Sequence, residues 1–191
     1  KKKILWEECR RAEISQAAKE DAVVILALGA TEQHGDHLPL NTDTKDCFEI
    51  AKLAAEAVDD FPVLVLPPLW FGYSVEHMCR PGVITMKFQT YIEVLTEIAE
   101  SVYSHGFTKL LFLNGHGGNL PAASAMRIKL AYESKCPPSL LITWFRFPSL
   151  PKFPNNGHAG PTETAVQLYL QPDLVDQDNL SWAEGVIGDP S

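Results

Sequence analysis

Cysteine is scarce and scattered in this chain. Cys9, Cys47, Cys79 and Cys136 are the only four among 191 residues, and no two form a CxxC pair. That argues against a zinc ribbon or a disulfide framework and fits reduced thiols. Positive charge is also short. Sixteen Lys and Arg stand against 24 Asp and Glu, giving a net charge of -8 and a pI near 5.2. The one basic cluster is Lys1-Lys2-Lys3. A nucleic-acid binder needs a basic face, so no nucleic-acid partner is expected. No apolar run approaches the roughly 20 residues of a membrane span. No signal-peptide pattern appears either. The expectation is a cytoplasmic protein without a membrane partner.

Several hydrolase and nucleotide signatures are missing too. There is no G-x-S-x-G elbow and no H-E-x-x-H helix. Ser74, in Gly72-Tyr73-Ser74-Val75-Glu76-His77, lacks the second glycine of an elbow, so a serine nucleophile is disfavoured. Gly115-x-Gly117 is followed by Leu120 where a dinucleotide fingerprint needs glycine, and no Gly-Lys-Ser/Thr follows as in a phosphate loop.

What the chain does contain is a hydrophobic content of 46%, enough for one well-buried domain over 1–191. Strand and helix signals alternate along it. Ala22–Gly29 is an apolar run bounded like a buried strand. Asp46–Val58 has an Ala-rich helical pattern, followed by a short strand over Pro62–Pro68. Phe88–His105 places Ile92, Leu95, Ile98, Ala99 and Val102 at helical spacing, with Gly106 as terminator. A strand at Lys109–Leu113, a helix over Leu120–Ser134 and a strand at Leu140–Phe145 follow. Pro148–Asn156 is a proline-rich loop, and Thr162–Leu170 a helix with Thr162 as its cap. Such alternation predicts an α/β fold, with a mostly parallel sheet and helices on both faces.

Parallel sheets bind ligands beyond the carboxyl ends of their strands. The chemistry-bearing residues fall there. Thr31–Asp43 packs Glu32, His34, Asp36, His37 and Asp43 just after the first strand. Asn114-Gly-His116-Gly117-Gly118-Asn119 follows the third, and Gly157-His158-Ala-Gly with Glu163 lies beyond the fourth. Carboxylates and imidazoles gathered past buried strands suggest a metal centre with hydrolytic chemistry. Asp43 alone reads equally well as a helix cap. His37 and Asp36 read as structural. The glycines around His116 allow a tight turn, and free N–H groups at a helix start can hold an oxyanion.

Thr31-Glu-Gln-His-Gly-Asp-His-Leu-Pro-Leu-Asn-Thr-Asp43, Asn114-Gly-His-Gly-Gly-Asn119 and His158-Ala-Gly-x-x-Glu163-Thr together resemble the creatininase (creatinine amidohydrolase) family. The likeness runs from Trp6-Glu7-Glu8 to Gly185–Pro190. It implies a three-layer α/β/α fold, two divalent metals, cleavage of a small, non-peptide amide-type C–N bond, and a homo-oligomer, often a hexamer. Zinc is the first expectation, with manganese or iron as alternatives. Carried over, Glu32, His34, Asp43, His116 and Glu163 are the metal ligands, with Asp43 the bridge. His158 is the catalytic acid or base, and Ser74, His77, Gly117 and Gly118 face the substrate. Three departures stand out. Pro161 replaces an acidic residue of the third motif. Gly118 stands where creatininase proper has a glutamate ligand, a role that would fall to Glu163. Pro154-Asn155-Asn156-Gly157 stands where creatininase proper has a tryptophan shortly before the histidine that His158 matches. The chain is shorter than typical members, which suggests a missing C-terminal segment. Creatinine is therefore one candidate substrate, beside a formylaminopyrimidine or a small peptide. The rival of another class is a catalytically silent binding or assembly protein.

Overall fold

The computed structural model describes residues 2–153 and 156–182. The expectations for Pro154-Asn155 and for the chain after Trp182 lie outside them. Helix α1 (Arg11–Lys19) precedes strand β1 (Val23–Leu28). Then come α2 (Thr42–Ala57), β2 (Val63–Val65), α3 (Phe88–Ser104), β3 (Lys109–Asn114), α4 (Asn119–Tyr132), β4 (Ser139–Thr143) and α5 (Pro161–Leu170). The strands form one parallel sheet in the order β2-β1-β3-β4. Val24 lies opposite both Leu64 and Leu110, and Leu28 opposite Asn114.

Side chains of β1 alternate between two cores, as the period of a strand requires. Val24, Leu26 and Leu28 join Tyr91, Leu95 and Ala99 of α3 and Ala122, Ala123 and Met126 of α4. Ile25 and Ala27 point the other way, to Cys47, Ala51 and Ala55 of α2 and to Trp144. Helices thus cover both faces, and the fold is the expected three-layer α/β/α arrangement. Burying a side chain such as Leu95 or Phe112, both fully enclosed, stabilises by about 1.5–3 kcal/mol each. No helix of the described residues is long and apolar enough to cross a membrane.

The strand order sets the site. From β1 the chain moves through α2 to β2 on one side, then returns through α3 past β1 to β3 on the other. The loops after β1 and β3 therefore part at the carboxyl ends of adjacent strands, where α/β sheets open a crevice. Gly115 lets α2 sit directly on this edge, because a Cβ there would come within 2.5 Å of the Asp43 carbonyl oxygen.

Several boundaries differ from expectation. Helix α1 was not among the expected elements; it buries only Ala17. Helix α2 begins at Thr42, four residues before the Ala-rich stretch, with Asn41 at the N-cap. Strand β4 stops at Thr143, and Trp144–Arg146 turns into a short 3-10 segment. Thr162 does not cap α5. Gly160 holds that position and Pro161 fills the first turn, where a missing N–H costs nothing. Gly106 ends α3 as expected, at φ +93°.

Candidate metal centre

The loop after β1 turns back on itself, with His34 bridged to Leu38 and Thr31 to Ile84. This folds Glu32 and His34 inward, both with no exposed surface. Asp43 enters from the first turn of α2, His116 from the end of β3, and His158 and Glu163 from either side of the α5 start. Their ligand atoms converge in three overlapping groups: Glu32, Asp43 and His116; His34, Asp43 and Glu163; and Glu32, His34 and His158. Within each group the atoms lie within 4.8 Å of one another.

Asp43 belongs to two of these groups through different oxygens. Its Oδ1 is 3.1 Å from His34 Nε2, and its Oδ2 is 3.5 Å from His116 Nδ1. Asp43 does not occupy the helix-cap position, which falls to Asn41; it lies inside the first turn of α2. Glu32 Oε1 lies 3.0 Å from His116 Nδ1 and 3.5 Å from His158 Nδ1. Glu163 Oε2 lies 3.9 Å from His34 Nε2 and accepts the Ala159 N–H at 2.7 Å.

The donor set fits a divalent cation. Both Glu32 oxygens and Asp43 Oδ2 are buried without an aligned hydrogen bond, an expensive state unless something else satisfies them. Among the described residues no Lys or Arg pairs with Glu32, Asp43 or Glu163. Mixed oxygen and imidazole donors suit zinc, manganese and iron alike. Titration follows from the same crowding. Burial raises Glu32, but the His116, His34 and His77 imidazoles outweigh it and hold it at about 2. Burial opposes charge on His34, yet Asp43, Glu163 and Glu32 push it up to about 10. Burial lifts Asp43, and it carries Glu163 to about 7 against the pull of His34.

The loop hydrogen bonds fix the remaining tautomers. His158 Nε2 is 2.6 Å from the Gln33 carbonyl, which only accepts, so that nitrogen carries the hydrogen. Its Nδ1 lone pair then faces Glu32. Burial and the nearby His34 lower His158 to about 3, leaving it neutral. The Gly35 N–H bonds Gln33 Oε1, so the amide nitrogen is the end that meets His77 Nδ1 at 2.9 Å. His77 Nε2–H therefore points to Glu32 Oε1, 3.6 Å away. His77 also stacks on His158, with ring centroids 4.2 Å apart.

A cavity of about 290 Å³ opens over this cluster. His77, Gly117, Gly118 and His158 line it, with Glu76 and Phe145 at its wall. Ser74 does not: it is buried behind His116, its Oγ 3.3 Å from Nε2. His37 is structural, bonding Thr164 through Nε2 at 3.0 Å, and Asp36 is exposed. Sequence reasoning passed over Gln33, whose amide carries no charge, and Glu76, which has no motif spacing. Asn119 was noted only as the end of a motif. It ties the site loops together by donating to the Gly29 carbonyl at 3.0 Å and accepting the Tyr73 N–H at 2.9 Å.

Fold and cluster together define an α/β protein with a carboxylate–imidazole centre at its strand ends. A family model described as creatininase, creatinine amidohydrolase, matches residues 7–190, and the chain belongs to that family. It is 37% identical to the mycofactocin precursor peptide peptidase of Mycolicibacterium smegmatis, over 83% of this chain and 62% of that one. Identity to the creatinine amidohydrolase of Pseudomonas putida is 26%, over 93% of this chain and 74% of that one. A solved mutant creatininase of Zn–Zn type superposes with a TM-score of 0.80 at 27% identity, covering 93% of this chain and 76% of that structure. The chain thus spans less than two-thirds of the length of the mycobacterial relative.

Proposed function

We propose that the protein is a divalent-metal-dependent hydrolase of an amide C–N bond. Glu32, His34, Asp43, His116 and Glu163 would hold two ions, with Asp43 shared between them. The observation that carries this reading is the pair of buried carboxylates, Glu32 and Asp43: both Glu32 oxygens and Asp43 Oδ2 have no aligned protein partner, and both side chains face His116. Bound there, divalent ions supply an activated water near neutral pH and polarise a substrate carbonyl.

The chain's own residues do the rest. Neutral His158 stands at the rim of the cluster with its Nδ1 lone pair turned inward. It can take up a proton and return it to the departing nitrogen. Gln33 fixes the tautomers of His158 and His77 through the contacts described above. His77 and Phe145 wall the cavity. Gly117 leaves its side open, since a Cβ there would meet nothing within 4 Å.

For the substrate, a short peptide is the reading that the 37% identity to a peptide peptidase supports. The second reading, a non-peptide amide such as creatinine, rests on the more distant creatinine amidohydrolase. A panel of short peptides, formamides and creatinine, incubated with metal-free protein plus Zn, Mn or Fe, tests both. Metal-dependent cleavage of a peptide is the expected outcome. Creatinine turnover above about 10⁴ M⁻¹s⁻¹ in kcat/KM would reverse the choice of substrate. No hydrolysis of any amide would favour a silent binding or assembly role.

A further inference from the structure

Three acids line the cavity, and the metal groups account for Asp43 and Glu163 but not for Glu76. Its position beside His116 assigns it a task. The two nitrogens of His116 face opposite ways. Nδ1 looks into the cluster, 3.0 Å from Glu32 Oε1 and 3.5 Å from Asp43 Oδ2. Nε2 looks out, to the Tyr73 carbonyl at 3.0 Å, Ser74 Oγ at 3.3 Å and Glu76 Oε1 at 3.5 Å. The Tyr73 carbonyl can only accept, so Nε2 carries a hydrogen, and Nδ1 is the nitrogen left to face an ion bound between Glu32 and Asp43. Among the described residues, Glu76 is the one charged group paired with the outer nitrogen.

Gly118 makes this approach available. A Cβ at 118 would overlap Glu76 Oε1, His116 Nε2 and the Tyr73 oxygen together. The side chain missing at 118 is therefore replaced in space by a carboxylate from the Val75–His77 turn. Glu163, to which the sequence assigns the ligand role of an acid at 118, groups with His34 and Asp43. Among the described residues no ion pair joins it to His116.

We propose that Glu76 is a positioning residue of the metal centre: its carboxylate helps hold the outer N–H of His116 and so aims Nδ1 at the ion shared with Glu32 and Asp43. The inference rests on the metal-dependent reading above. Carboxylates placed behind a ligand histidine fix its tautomer and raise its basicity, and losing one costs about 10–100-fold in metal affinity.

Calorimetric titration of the metal-free protein with Zn²⁺ and with Mn²⁺ tests it, comparing wild type, Glu76→Ala and Glu76→Gln. Glu76→Ala should weaken one of two binding events by about 10–100-fold and leave the other nearly unchanged. Glu76→Gln, whose amide oxygen still accepts from Nε2–H, should recover most of the loss. Wild-type affinity for both ions in Glu76→Ala, or a Glu76→Gln that binds no tighter than Glu76→Ala, would overturn the assignment. Wild-type protein that takes up no ion overturns the metal reading itself, which is a separate failure.

Discussion

Asp46 accepts a hydrogen bond from Gln167 Nε2 at 2.5 Å, entirely inside the protein. Asp46 lies one turn beyond Asp43 on α2, and Gln167 one turn beyond Glu163 on α5. The buried pair therefore fixes the register in which the two helices present their acids to the same cluster. Gln171 extends the ladder, bonding Gln167 Oε1 at 2.5 Å and Asn41 Oδ1 at 2.7 Å.

Asp46 makes the stability of the metal-free protein depend on pH. Burial raises it to about 8, against the help of Gln167. A group raised above its unfolded value, near 3.8, contributes stability below that value and loses it as pH climbs through the folded one. Asp46→Asn should flatten the profile between about pH 4 and 8, and near pH 8 gain on the order of a few kcal/mol over wild type. Urea unfolding of both proteins across that range measures it. Parallel profiles would show that Asp46 is ionised in the fold.

Asp43→Ala should remove both ions together, because each Asp43 oxygen faces a different group. Elemental analysis after dialysis reads this directly. Loss of one ion, with the second kept at wild-type affinity, would show that Asp43 does not bridge.

His158→Gln should lower turnover by roughly 10²–10⁴-fold with metal retained, if its Nδ1 moves protons. The geometry offers a competing role, since His158 joins Glu32 and His34 in one ligand-competent group. Loss of an ion in this variant would assign it to coordination.

Asn119→Ala should destabilise the fold by about 1–3 kcal/mol for each group it leaves unpaired. The Gly29 carbonyl and the Tyr73 N–H both lose their partner. Denaturant midpoints with an unchanged slope would confirm it. A loss below about 0.5 kcal/mol would mean that water reaches the site.

Much of the fold was legible in the chain. The runs at Val23–Leu28 and Lys109–Asn114 are apolar because both sheet faces are covered, and parallel central strands leave that trace. Helix α3 shows its buried face at helical spacing. Helix α1 was missed although the Glu13 side chain reaches back to the Arg10 N–H at its start, as in a capping box. Strand β4 was overextended because Trp144 and Phe145 are as apolar in a 3-10 turn as in a strand. At the site, Glu32, His34, Asp43, His116, His158 and Glu163 could be read from motifs that follow strand ends, and the structure brings them together. Glu76, Gln33 and the Asp46–Gln167 pair could not. Their roles come from contacts between segments far apart in sequence, and no local periodicity records those.

The most direct test of the account is a crystal structure of the protein grown with Zn²⁺ or Mn²⁺, with anomalous data at the metal edge. Two peaks are predicted, both within bonding distance of Asp43. One should be completed by Glu32 and His116 and the other by His34 and Glu163, with bonds near about 2.0–2.2 Å. No peak at the cluster, or peaks more than about 5 Å from these side chains, would contradict it.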